Sequence, residues 1–138
     1  MKVLYTATAT ANGGRNGHVA TDDGQLDFDV TMPEGLGGKG GHTNPEQLFA
    51  AGYASCFGSA LDLVAQQAKV QLPQNSITAQ VSIGQDEGGF GLAVKLTANL
   101  AGLDKATAQG LINKAHEVCP YSKATRNNIA VELEVITD

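Results

Sequence analysis

Clustered positive charge is missing from this sequence. Nine Lys and Arg stand against 14 Asp and Glu in 138 residues, for a net charge of −5 at pH 7. The basic residues are scattered. Binding to phosphate backbones or anionic lipid needs concentrated positive surface, so neither nucleic acid nor an acidic membrane face is an expected partner. Cysteine is scarce as well. Cys56 and Cys119 lie 63 residues apart, and neither belongs to a C-x-x-C pair. Two thiols in a reducing compartment are either inert packing residues or a redox couple. The N-terminus, Met1 to Thr8, turns polar too soon for a secretory leader. The charge-free central stretch runs only from Gln47 to Leu61 before Asp62 ends it. That is short of the roughly 18 apolar residues a membrane span requires, so a soluble cytoplasmic protein is expected.

Several other signals are absent. There is no repeat, no low-complexity tract and no linker long enough to split domains, so one domain covering residues 1–138 is expected. No phosphate-binding glycine spacing follows a strand. His18, His42 and His116 match no zinc signature, and no metal is expected. No strand-turn-helix elbow surrounds Cys56, which argues against a Cys-His hydrolase.

What is present is a globular composition, with 42% hydrophobic residues and 17 glycines. Lys2 to Ala11 alternates with period two and is rich in Thr, which predicts a strand broken by Asn12-Gly13-Gly14. His18–Thr21 and Leu26–Thr31 flank a turn and predict a hairpin. Met32–Thr43 reads as a loop, whose glycines either turn tightly or let backbone approach a ligand. Asn44, Pro45 and Gln47 form a helix start with capping-box spacing, and the helix is predicted to reach about Val70. Its middle is apolar or small on every side, which predicts burial on every side and, in a chain this short, a second subunit. Ala51, Ser55 and Ser59 form a small-residue row open to close approach. Ser76–Ile83 and Phe90–Leu100 predict a second hairpin. Asp104 predicts a cap for a helix over 105–118 with a stripe of Leu111, Ile112, Ala115 and Val118. Pro120 opens one further turn to Ala124, and Ile129–Ile136 predicts a closing strand. The plan is α+β, with antiparallel strands and a long buried central helix.

Cys56 sits inside the apolar helix, where a cysteine is commonly just packing and where burial alone raises its pKa. Reactivity there needs a nearby cation. Cys119 sits at a helix end before Pro120, either as a buried thiol or as a movable one. Arg15, flanked by Gly13, Gly14 and Gly17, is either solvated or folded inward to meet an anion. Glu46, in the first helical turn, either serves the helix dipole or orients that arginine.

Two blocks carry a family resemblance. Thr43 to Phe57 reads TNPEQLFAAGYASCF, and His116 to Asn127 reads HEVCPYSKATRN. Both resemble the cysteine segments of the organic hydroperoxide resistance proteins, the Ohr branch of the Ohr/OsmC family. Thr6-Ala7-Thr8-Ala9 through Arg15-Asn16-Gly17 resembles their N-terminal arginine turn, and the likeness extends over essentially the whole chain. Cys119-Pro120-Tyr121-Ser122 favours the Ohr branch over the OsmC branch. The resemblance implies an OsmC-like fold in an intertwined homodimer with two active sites at the subunit interface. It implies an antioxidant thiol peroxidase of the oxidative stress response. Cys56 would be the peroxidatic cysteine, Cys119 the resolving one, and Arg15 and Glu46 their electrostatic partners. It implies no bound cofactor; the reductant would be dihydrolipoamide or a lipoylated protein rather than thioredoxin or glutathione. Asn127 stands where Gly is common in the family, a small departure because Asn tolerates left-handed backbone.

Leu48, Phe49, Tyr53 and Phe57 offer apolar surface near Cys56 and are expected to receive the organic tail of a hydroperoxide. Glu46 and Cys56 are ten residues apart, about 15 Å along a helix axis. One glutamate side chain does not span that distance, so either Glu46 reaches the thiol from a partner subunit or the helix starts late or bends. Two other readings are open: a non-catalytic redox-sensing or small apolar-ligand-binding dimer, and a structural dimer with inert thiols.

Overall fold

The computed structural model describes residues 1–138, which form two compact units, Met1–Leu48 and Phe49–Asp138. In the first unit, strands β1 (Ala9–Asn12), β2 (Gly17–Thr21) and β3 (Asp27–Val30) make an antiparallel meander in the order β1-β2-β3. The hairpin predicted around Asp22-Asp23-Gly24-Gln25 is there, pairing Ala20 with Asp27 and Gly17 with Val30. The first strand is much shorter than its alternation suggests. Residues 1–8 form no strand, and Val3, Leu4 and Tyr5 are exposed. Alternation marks a segment able to pair, but pairing needs an edge, and here the β2 edge is used only from Ala9 onward.

The glycine-rich segment holds a short 3₁₀ turn, Glu34–Leu36, and folds back on its own backbone. Gly40 N–H donates to the Met32 carbonyl, Thr31 Oγ1 donates to the Gly40 carbonyl, and Thr31 N–H donates to the Thr43 carbonyl. The tight-turn reading of those glycines accounts for these bonds.

Helix α1 runs Pro45–Gln67. Asn44 caps it, its Oδ1 accepting from Gln47 N–H at 2.9 Å. The other arm of the capping box is different: Gln47 Oε1 accepts from Thr43 Oγ1 instead of returning to the cap residue. The helix stops three residues before Val70 because Lys69 adopts left-handed backbone (φ 57°), and Val70 N–H closes on the Ala65 carbonyl. By length and composition α1 could cross a membrane, with an 18-residue window of mean hydropathy 1.4 that takes in Asp62. The charge-free run alone understates this. Within the single chain burial is one-sided: Tyr53, Phe57, Ala60, Leu61, Val64 and Ala65 are buried, while Ala51, Ser55 and Ser59 form an open row, the face for which a second subunit is expected.

In the second unit, β4 (Ser76–Asp86) and β5 (Gly89–Asn99) form an antiparallel hairpin whose turn is only Glu87-Gly88, tighter than the six-residue turn predicted. Helix α2 is Lys105–Val118, as predicted, and Asp104 accepts from Thr107 N–H at 2.9 Å. Its buried stripe is Ala108, Leu111, Ile112 and Ala115; Val118 is exposed. Helix α3, Pro120–Thr125, follows directly. Strand β6 (Val131–Ile136) then pairs with β5 in parallel, Val94 opposite Val131. The all-antiparallel expectation is thereby corrected, because α2 and α3 form a crossover that returns the chain in the same direction. The core of this unit joins α1, β5 and α2 through Leu61, Leu96, Leu100 and Ile112.

Candidate functional site

The first unit supplies an ion pair. Gly17 must lie so close to β1 that a Cβ there would sit 1.8 Å from the Asn12 carbonyl oxygen, so only glycine closes this turn. The turn projects Arg15 onto Glu46, whose position is set by the first turn of α1. Arg15 Nη1 donates to Glu46 Oε2 at 2.8 Å and Nη2 to Oε1 at 2.6 Å, a two-pronged pairing. Arg15 holds the Glu46 carboxyl below its ordinary pKa, and Glu46 in turn raises that of Arg15. The pairing expected between these residues is present.

The second unit brings the two cysteines together. Cys119 is at once the last cap of α2 and the first cap of α3. Its N–H donates to the Ala115 carbonyl and its carbonyl accepts from Lys123 N–H, so its backbone is held on both sides. The side chain is fully buried, while that of Cys56 is partly exposed. Both are free thiols, with Cys119 Sγ 3.6 Å from Cys56 Sγ. A disulfide needs about 2.05 Å, so closing the gap takes roughly 1.5 Å of movement. Burial pushes the Cys56 thiol pKa up, as does Cys119, whereas the backbone N–H of Tyr121 at the sulfur pulls it down.

An aromatic cluster stands beside the sulfurs. Phe49, Tyr53 and Tyr121 have ring centroids 5.7 to 6.1 Å apart. Gly52 makes room for it: a Cβ at that position would lie 2.8 Å from Tyr121 Oη. Of the residues expected to receive substrate, Phe49 and Leu48 are partly exposed, but Tyr53 and Phe57 are 0% and 1% exposed. They lie on the packed face of α1 and are core residues, which corrects their assignment as open lining. Tyr121 and Gly52 were not singled out from sequence. A glycine inside a long helix costs about 1 kcal/mol relative to alanine, and that cost was the available sign of a close neighbour.

Two of the three histidines have side-chain partners. His18 meets Asp27 and Asp29 across β2 and β3, and His116 Nδ1 lies 2.7 Å from Ser122 Oγ. Asn127 adopts φ 61°, the left-handed geometry anticipated for it.

A fold of this topology, with two neighbouring thiols and an arginine turn, defines an α+β protein of OsmC-like architecture. The OsmC-like protein family model matches residues 38–134. The organic hydroperoxide resistance protein of Xanthomonas axonopodis pv. citri is 57% identical over 134 residues, covering 96% of this chain and 94% of its own length. Organic hydroperoxide resistance protein OhrB of Bacillus subtilis is 53% identical over 134 residues, covering 96% and 98%. The crystal structure of an organic hydroperoxide resistance protein from Elizabethkingia anophelis, with thiocyanate bound, superposes with a TM-score of 0.94 at 57% identity over 100% of both chains. The chain belongs to the organic hydroperoxide resistance branch of the Ohr/OsmC family.

Proposed function

We propose that this protein is a cytoplasmic thiol peroxidase that reduces organic hydroperoxides to alcohols. The observation that carries this reading is the 3.6 Å approach of a partly exposed thiol, Cys56, to a fully buried one, Cys119. The Cys56 thiolate attacks the peroxide oxygen remote from the organic group. The O–O bond breaks, the alkoxide takes a proton and leaves as alcohol, and Cys56 becomes sulfenic acid. Cys119 then attacks the sulfenic sulfur. Its proton leaves with the hydroxide as water, and the disulfide forms. An external dithiol, dihydrolipoamide or a lipoylated protein, reduces that disulfide by exchange and is itself oxidised. The protein carries no cofactor of its own in this scheme.

Thiolate formation needs a cation, because burial works against it. In this reading Arg15, oriented by Glu46, supplies it and hydrogen-bonds the peroxide oxygens as charge shifts. Helix α1 is continuous from Pro45, so a late start does not bring Glu46 nearer to Cys56. In this reading the Arg15–Glu46 pair serving each Cys56 comes from a second copy of the chain, and the working unit is a homodimer with shared sites. The open Ala51, Ser55, Ser59 row of α1 and the exposed apolar N-terminus support such an assembly. All 138 residues then act as one functional domain. Phe49 and Tyr121 offer the substrate tail apolar contact, which adds about 0.8 kcal/mol per buried CH₂ and favours organic peroxides over hydrogen peroxide.

Peroxide consumption with dihydrolipoamide tests the reading. Wild type should turn over cumene hydroperoxide faster than hydrogen peroxide, and Cys56→Ser should be inactive. Equal kcat/KM for the two peroxides removes the organic-substrate claim. Recovery with thioredoxin but not dihydrolipoamide removes the lipoyl claim. The competing reading is a non-catalytic redox sensor or apolar-ligand-binding dimer. The raised pKa of Cys56 in the single chain favours it, and oxidation that alters binding without turnover would establish it.

A further inference from the structure

A chain of buried polar groups brackets the two sulfurs. Tyr53 lies three residues before Cys56 on α1. Ser122 lies three residues after Cys119 on α3, and His116 three residues before it on α2. Tyr53 Oη is 2.9 Å from Ser122 Oγ and 3.1 Å from Thr125 Oγ1. His116 Nδ1 is 2.7 Å from Ser122 Oγ, and Thr125 Oγ1 donates to the Ser122 carbonyl at 3.1 Å. Tyr53 and Ser122 are completely buried and Thr125 nearly so. Each hydroxyl has one proton. A single direction fills every contact: His116 Nδ1–H donates to Ser122, Ser122 to Tyr53, Tyr53 to Thr125, and Thr125 to the Ser122 carbonyl. Neutral and protonated His116 can both sustain it. On the outer side, Arg126 Nη2 donates to the His116 carbonyl and fastens the end of α2.

Three helices are thus tied together one turn from each thiol. We propose that the Tyr53–Ser122–His116 chain is a positioning device for disulfide formation, holding Cys119 Sγ within closing distance of Cys56 Sγ. The inference rests on the peroxidase reading for its purpose, but not for its geometry. None of the three residues touches the reacting oxygen in this scheme; they act through the cysteines they position. Without the ties, Cys119 spends less time near the sulfenic acid. A second hydroperoxide then has longer to oxidise Cys56 from sulfenic to sulfinic acid, releasing a second alcohol.

Tyr53→Phe and Ser122→Ala remove the two central hydroxyls, and His116→Ala removes the imidazole. His116→Asn keeps a polar amide near the Nδ1 position and serves as the rescue. Ile112→Val, a core change at a residue that makes none of these hydrogen bonds, serves as the structural control. The Cys56–Cys119 disulfide is first equilibrated against dithiothreitol, with no peroxide involved. The three disrupting variants should form it with an equilibrium constant about tenfold lower, equivalent to about 30 mV for two electrons. Single turnover with cumene hydroperoxide should show an unchanged sulfenic step, a disulfide step slowed by about the same factor, and more sulfinic acid by mass spectrometry. His116→Asn and Ile112→Val should resemble wild type. The proposal is overturned if the variants lose thermal stability yet keep the wild-type disulfide equilibrium, or if Ile112→Val shifts it equally. Should Tyr53→Phe not fold, Ser122→Ala and His116→Ala decide the question. If wild type consumes no peroxide, the peroxidase reading fails while the dithiothreitol equilibrium still decides the positioning.

Discussion

Replacing Gly52 by alanine sets two effects against each other. Alanine gains about 1 kcal/mol over glycine in a helix interior. Its Cβ, however, would lie 2.8 Å from Tyr121 Oη, 3.2 Å from Cε2 and 3.3 Å from Cζ. The first distance is shorter than van der Waals contact allows, so the ring must move. Tyr121 is 39% exposed, so its ring can swing outward without moving the helix. The swing forfeits edge contacts with Phe49 and Tyr53, each about 0.5–1.5 kcal/mol beyond area burial. Together these losses match or exceed the helical gain. Gly52→Ala should therefore lower Tm by up to about 8 °C, instead of raising it by about 4 °C as propensity alone requires. Thermal unfolding at fixed protein concentration measures this, and a double-mutant cycle with Tyr121→Ala isolates the cause. In the Tyr121→Ala background the same substitution should be stabilising. Equal stabilisation in both backgrounds would show that the ring does not press on position 52.

Three further outcomes follow. Glu46 has a depressed pKa in the folded chain, so its pairing stabilises above the unfolded value of about 4.5 and is lost as pH falls through the depressed one. The Tm gap between wild type and Glu46→Gln should accordingly be open at pH 7 and narrow in acid; a pH-independent gap refutes the pairing. His18 shows the opposite sign. Asp29 first, and Asp27 after it, raise its pKa, so its contribution is complete below about 6.5 and disappears as pH rises through the raised value. His18→Gln should differ from wild type in Tm at pH 5.5 and converge with it in alkali, as followed by thermal melts across pH. Cys119→Ser should still reduce one equivalent of organic hydroperoxide but then accumulate sulfinic acid at Cys56; clean, repeated turnover without it would remove Cys119 from the resolving role.

Local signals were legible where local physics decides. Asp104 and the pattern behind it fixed both ends of α2, and Asn44-Pro45 fixed the start of α1. Non-local pairing was not legible in the same way. Alternation from Lys2 onward marks strand capacity, yet pairing begins at Ala9, because partners lie elsewhere in the chain. Nothing in the periodicity of 131–136 states that β6 runs parallel to β5. A helix as uniformly apolar as α1 conceals which face packs, so Tyr53 and Phe57 read as accessible when they are core. The candidate site was legible chiefly through the long Cys56 and Cys119 blocks. Spacing alone does not bring together thiols 63 residues apart, and the Ser122–Tyr53–Thr125 bonds arise only once α3 docks on α1.

Thiolate absorbance at 240 nm, followed against pH in the assembled protein for wild type and Arg15→Ala, bears most directly on the proposed chemistry. Wild-type Cys56 should ionise below the free-thiol value of about 8.5, and the Arg15→Ala protein at or above it. A wild-type thiol that stays protonated beyond that value, unchanged by loss of Arg15, would leave the peroxide without a nucleophile.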